Sequence, residues 1–187
     1  HEDCPHGVTA QRYAPDDSAA LATAISAAYS QGYGNAHVMD NERSAELEAR
    51  YGNGELNTRD FVRGLAKTSF YKARFFEGVA PQRGIELNLK HLLGRPPVDQ
   101  AEMSAHISLL ASGGHEAVID FIVDGAEYAE VFGDDVVPYT RSFTSAAGIP
   151  NNSFARMATL ERGFAISDSA IGSSSQLANG LARNTTA

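Results

Sequence analysis

One cysteine, Cys4, is the only thiol in this 187-residue chain, so no internal disulfide can form and a disulfide-stapled secreted scaffold is excluded. No apolar run approaches the roughly 18 residues that a bilayer-spanning helix requires, so membrane insertion is not expected. Cations are few: 15 Lys and Arg against 23 Asp and Glu leave a net charge of −8, the wrong sign for a general nucleic-acid binder. Alternating strand patterns are missing, as are an internal repeat, a Gly-x-Gly-x-x-Gly motif and a phosphate loop. What is left is a chain long enough for one domain, able to bury about 70% of its unfolded surface without a disulfide or metal staple.

The charge is unevenly placed. Residues 59–95 hold eight cations, Arg59, Arg63, Lys67, Lys72, Arg74, Arg83, Lys90 and Arg95, against three acids. Residues 99–135 hold nine acids and no lysine or arginine. The plainer reading is two solvated helix faces of opposite sign; the functional one is a bipolar scaffold whose patches orient different partners.

Helical periodicity runs through the middle of the chain. Residues 1–15 read as an irregular tail without a signal-peptide or basic transit pattern, so any targeting segment is expected to have been removed or never present. Asp16, Asp17 and Ser18 supply a helix start, followed by Leu21, Ile25, Ala28 and Tyr29 on one stripe. A second helix is predicted from about Asn41 to the Gly52-Asn53-Gly54 turn. Asn57 or Thr58 caps a third, with Phe61, Val62, Leu65 and Ala66 inward and Arg59, Arg63 and Lys67 sharing an outer stripe. An aromatic turn or short helix follows Ser69, then a helix over residues 84–93 that buries Ile85, Leu89, Leu92 and Leu93 and stops at Gly94. Asp99 and Glu102 open a helix that ends at Gly113-Gly114, and two shorter helices follow, separated at Asp124-Gly125. Beyond residue 144 the sequence turns to Ser, Ala, Asn and Gly and cannot bury a core of its own. The expectation is an all-α domain over residues 16–143, with tails at 1–15 and 144–187.

Catalytic and metal chemistry find little support. Gly52-Asn53-Gly54-Glu55-Leu56 looks like half of an EF-hand loop, but its first and third ligands would be Ala49 and Tyr51, which cannot chelate calcium. His1, Cys4 and His6 lie on a terminal tail without a second cluster to close a metal site. His91 and His106 sit among apolar helical positions, as structural histidines do. No acid, base and nucleophile converge, so an enzyme is not expected.

Two segments exceed what a plain core needs. Phe70-Tyr71-Lys72-Ala73-Arg74-Phe75-Phe76-Glu77 has four aromatics in eight residues. Either Phe70 and Phe75 are core, with Tyr71 and Phe76 capping its edge, or the block is an aromatic and arginine anchor for a partner. Asp134-Asp135-Val136-Val137-Pro138-Tyr139 is too apolar for a solvated loop and reads as a strap across the helices.

These blocks resemble the linker-polypeptide domain of phycobilisomes. The likeness rests on Gly34-Asn35-Ala36-His37-Val38-Met39, Asn53-Gly54-Glu55-Leu56 with Arg59-Asp60-Phe61-Val62-Arg63, and Ser69-Phe70-Tyr71 with Arg74-Phe75-Phe76-Glu77. It continues through Glu86-Leu87-Asn88, Lys90-His91-Leu92-Leu93-Gly94-Arg95-Pro96-Pro97 and the Gly133–Tyr139 strap, in order from about residue 21 to 143, and the first block is closer to rod linkers than to the core-membrane linker. The resemblance implies a non-enzymatic, all-helical scaffold. It would sit in the central cavity of phycobiliprotein discs, join them into rods and tune their bilins. The implied partners are phycobiliprotein α and β subunits, as phycoerythrin or phycocyanin hexamers, and other linkers. The implied location is the phycobilisome on the cytoplasmic or stromal face of the thylakoid.

Matching the motif, Arg59, Arg63, Tyr71, Arg74, Phe75, Phe76, Arg83, Arg95 and Tyr139 are the expected partner contacts. No cofactor of its own is expected, although a bilin on Cys4 through a thioether is an alternative, as is a bilin-handling enzyme such as a lyase. Members of the family are commonly basic, and a charge of −8 departs from that pattern. No second small folded linker domain is recognised after Phe143, so residues 144–187 are taken as an extension ordered on a partner.

Overall fold

The computed structural model describes residues 18–33 and 38–141; Cys4, His37 and the two predicted tails lie outside them. Seven α-helices follow one another: α1 Ser18–Tyr33, α2 Ala45–Gly52, α3 Thr58–Lys67, α4 Ser69–Phe75, α5 Pro81–Leu93, α6 Gln100–Val123 and α7 Ala126–Val131. No β-strand occurs among the described residues, so the fold is all-α.

Local chemistry sets most of the boundaries. Ser44 caps α2, while the stretch before it, read from the sequence as the same helix, is a separate 3-10 turn, Asp40–Glu42. Ser44 is extended (φ −98°, ψ 92°), and its hydroxyl holds the α2 amide of Leu47, which starts the helix afresh. Asn57 caps α3 by accepting from the Asp60 amide at 2.7 Å. Thr68 both ends α3 and caps α4, its hydroxyl accepting from the Tyr71 amide. Gly52-Asn53-Gly54 is a helix end, with Gly54 at φ 74°, and not a calcium loop.

The α5 helix starts one turn earlier than its apolar spacing indicates, because Pro81 suits the first helical position, where no amide donor is needed. It is also buried around its whole circumference from Arg83 to Leu93, and not on one face. Charged residues share that interior: the Glu86 carboxylate takes Arg83 at 2.5 Å and also Lys90. Pairing with a carboxylate is what allows two cations to leave water.

Around α5 pack α1, α6 and α7, with α3 bridging α1, α2, α4 and α6. Aromatic side chains fill the centre: Tyr51 stacks on Phe61 at 4.6 Å, and Tyr33 meets Phe70, Tyr71 and Phe75.

The α6 helix is two limbs. Gly114, at φ 76° and ψ −175°, breaks it, and His106 of the first limb meets Phe121 of the second ring-to-ring at 5.5 Å. In a straight helix those residues would stand about 22 Å apart along the axis, so the chain folds back as a hairpin. The strap then crosses the end of α5, where the Arg141 amide and guanidinium donate to the carbonyls of Gly94 and Leu93.

Candidate docking surface

The outer stripe of α3 does not face solvent alone. Arg59, Arg63 and Lys67 recur every four residues, and so do Asp120 and Asp124 on the second limb of α6. The two ladders interlock: Arg63 reaches Asp124 at 2.6 Å and Asp120 at 3.2 Å, Lys67 reaches Asp120 at 2.7 Å, and Arg59 reaches Asp124 at 2.9 Å and Asp134 at 3.3 Å. Hydrogen bonding to Asp124 raises the Arg63 pKa, and the same contact lowers that of Asp124. The cationic and anionic segments of the sequence are therefore, in large part, partners of each other.

Arg95 shows the same pattern. It holds Glu102 at 2.7 Å and Glu127 at 2.5 Å, and Glu127 also takes Arg141 from the strap. Asp99 caps α6 as the sequence indicates, accepting from the Glu102 amide at 2.8 Å. The Glu102 carboxylate turns instead to the Val98 amide and to Arg95, which lowers its pKa against the upward push of burial.

Arg74 pairs with Glu42 at 3.1 Å and lies over the rings of Phe70 and Phe75. Arg83 is inside the α5 core. Among the described residues every arginine is in an ion pair, and Lys72 is the one lysine outside one.

The aromatic block divides between interior and edge. Tyr71 and Phe75 are 1% and 0% exposed, and the Tyr71 hydroxyl meets Asn88 Oδ1 at 2.9 Å and His91 Nδ1 at 2.8 Å. Phe76 is half-buried, lying on the bare backbone of Gly84 and against the His115 ring at 4.5 Å. Tyr139 is half-buried in the strap, edge-on to Phe132 at 5.3 Å. The nine residues singled out from the sequence are thus not gathered on one free face. Three (Tyr71, Phe75 and Arg83) are core, four (Arg59, Arg63, Arg74 and Arg95) are ion-paired within the chain, and Phe76 and Tyr139 sit at its edge.

The structure exposes other residues. Among the described residues, Met39, Val98 and Phe121 are the large apolar side chains most open to solvent, at 64%, 59% and 59%. Phe121 stands on the second limb of α6, beside a first limb that carries no charged side chain after Glu102. The sequence reading placed the break of this hairpin at Gly113-Gly114 but did not single out its uncharged face, although the signal was legible: thirteen residues, 103–115, contain no Lys, Arg, Asp or Glu.

The domain thus pairs its described arginines internally, keeps most of its described aromatics in the core and carries no Lys, Arg, Asp or Glu over residues 103–115. Residues 16–141 match the family model for phycobilisome linker polypeptides. The chain belongs to that family. A phycoerythrin class 2 subunit gamma, a linker polypeptide of Synechococcus sp. (strain WH8020), is 53% identical over 181 residues, 96% of this chain and 62% of that protein. A 32.3 kDa phycocyanin-associated rod linker of Picosynechococcus sp. is 46% identical over 176 residues, 93% of this chain and 60% of that protein. A 27.9 kDa phycoerythrin-associated rod linker of Microchaete diplosiphon is 44% identical over 162 residues, 87% of this chain and 65% of that protein. The linker chain thus spans about 60% of the length of the curated relatives it matches. Among its described residues no helix is long and apolar enough to cross a membrane, and no three His, Cys, Asp or Glu side chains gather to hold a metal ion.

Proposed function

We propose that this chain is a structural, non-catalytic rod linker: its helical domain, residues 16–143, sits in the central cavity of phycobiliprotein discs and joins them into rods. The observation that carries this reading is its similarity, over nearly its whole length, to relatives named as phycobilisome rod linkers. Its partners on this reading are the α and β subunits of phycoerythrin or phycocyanin hexamers and other linkers. Its place is the phycobilisome on the cytoplasmic or stromal face of the thylakoid. On this reading residues 144–187 are an extension toward the next disc that orders on its partner, and residues 1–15 are an N-terminal tail.

The reading carries a mechanism with it. One asymmetric domain inside a ring of threefold symmetry touches the subunits unequally, so chemically identical bilins sit in different fields and energy is directed along the rod. Partner contact through Arg59, Arg63 or Arg95 requires Asp120, Asp124, Glu102 or Glu127 to be exchanged for a partner's carboxylates. Phe76 and Tyr139 can be reached without that exchange.

Reconstitution tests the reading. The chain, added to purified phycobiliprotein hexamers, is expected to co-sediment with them, stack them into rods visible by electron microscopy and shift their emission. Hexamers that neither stack nor change emission in its presence would overturn it. A second function, carriage of a bilin by Cys4, rests on this being the chain's sole thiol. Zinc-enhanced fluorescence of the denatured chain from the native antenna decides it: a fluorescent band supports attachment, and a dark band removes it.

A further inference from the structure

In a chain where one residue in five is charged, residues 103–115 carry no charged side chain of the Asp, Glu, Lys or Arg type. Residues 103–113 lie on the first limb of the α6 hairpin, which breaks at Gly114. Only Met103 and His106 of that limb are buried; Ser104, Ala105, Ser108 and Ala111 are exposed along its outer side, and Ile107 and Leu110 are half-buried between. The second limb adds Phe121, 59% exposed at the seam with His106. Solvation alone does not ask for such a face. The exposed side of α2, by contrast, carries Glu46 and Arg50.

At the two ends of the bare face stand Asp99 and Glu116, both exposed and both outside any ion pair among the described residues. The face is therefore uncharged at its centre, where the Ser104 and Ser108 hydroxyls donate to carbonyls of their own helix, and acidic at its ends. Its complement is an apolar patch bordered by Lys or Arg. A second copy of this chain is disfavoured, because a two-fold contact would set Asp99 and Glu116 against themselves in chains that each carry −8.

We propose that the α6 hairpin, through Ser104, Ala105, Ser108, Ala111 and Phe121, is the face that docks on a phycobiliprotein subunit, at an apolar patch of that subunit bordered by basic side chains. This inference rests on the rod-linker reading above and names the surface that reading leaves open. Small side chains on the outer limb let a partner helix approach closely, and Phe121 supplies the large apolar anchor at the edge.

Thiol protection tests the assignment. Ser108→Cys and, as a control on α2, Ala49→Cys are each labelled with a maleimide, alone and after assembly with purified phycoerythrin or phycocyanin hexamers. Peptide mass spectrometry reads each position apart from Cys4. The expected result is free labelling at 108 in the isolated chain and at least tenfold slower labelling in the sedimented assembly, with position 49 protected far less. Equal protection of the two positions, or none at 108, overturns the proposal. Protection at 108 in the isolated chain overturns it in favour of this chain's residues beyond 141 if independent of concentration, and of a second copy if it grows with concentration. A parallel Ser108→Glu variant is expected to keep its helical circular dichroism and lose at least tenfold in affinity for the hexamers; unchanged affinity overturns the assignment. If the unaltered chain sediments with neither hexamer, the rod-linker reading itself falls, a result distinct from a bound chain whose position 108 stays reactive.

Discussion

His115 sits at the turn of the α6 hairpin with both ring nitrogens buried and without a hydrogen-bond partner. Burial, aided by the charges of Lys72 and Lys67 and opposed by Glu116, pushes its pKa down to about 4. The folded state therefore favours the neutral ring, while the unfolded chain binds a proton near pH 6.5. Stability from this group is fully present above pH 6.5 and drains away as pH falls toward 4, by about 2 kcal/mol between pH 8 and pH 5. Chemical denaturation at those two pH values is expected to show a stability difference smaller by about that amount in His115→Leu; an identical difference in both proteins would remove the assignment. Gly94 is a second position fixed by a single atom's worth of space. It adopts φ 67°, and a Cβ there would lie 1.9 Å from the Tyr139 carbonyl oxygen in the strap. Gly94→Ala combines left-handed strain of about 1–2 kcal/mol with displacement of that strap. It is expected to lower the melting temperature by several degrees and to raise amide exchange at Arg141, whose N–H otherwise donates to the Gly94 carbonyl.

Elements were legible in the sequence where a side chain decides them locally. Asn57, Asp99 and Gly94 mark helix ends by chemistry that acts within three or four residues, and the structure shows those ends. The interlocked ladders were not legible, because Arg63 and Asp124 are 61 residues apart and nothing in either helix names its counterpart. The charge split was visible; that its halves face each other is a property of packing. Likewise α5 reads as amphipathic from its leucines, and only the Arg83–Glu86–Lys90 cluster explains how its polar side also lies inside. Two predictions follow the two kinds of pairing. Asp124→Asn weakens a half-exposed ladder and is expected to cost about 0.5–1 kcal/mol, less at high salt, by urea denaturation. Glu86→Gln removes the carboxylate that two buried cations share and is expected to cost about 3–5 kcal/mol, largely independent of salt. Equal losses for the two variants would contradict the distinction between surface and interior pairs.

For the whole molecule, net charge was the legible quantity and the less informative one. The family motif singled out Tyr71 and Phe75 as partner contacts, yet both lie in the core, because α4 lies against α5 with the Tyr71 hydroxyl held by Asn88 and His91. The uncharged stretch 103–115 could be read from composition, but its meaning required knowing that the limb is exposed. These facts bear on how a linker of charge −8 is held at all. A docking surface made of the cations in residues 59–95 would bind an acidic partner through contacts that salt screens, since the Debye length shrinks from about 10 Å at 0.1 M to about 3 Å at 1 M. Those cations already have carboxylate neighbours in this chain, so added salt loosens the ladder and does not free a docking force. A docking surface made of the α6 hairpin buries uncharged area at its centre, which salt does not weaken, and leaves only Asp99 and Glu116 at its rim to be screened. Affinity for phycobiliprotein hexamers, measured by sedimentation from 0.05 to 0.5 M potassium phosphate, is therefore expected to hold or rise. A tenfold or greater loss over that range would instead place the contact on Arg59, Arg63 and Arg95, with their intrachain carboxylates exchanged for those of the partner.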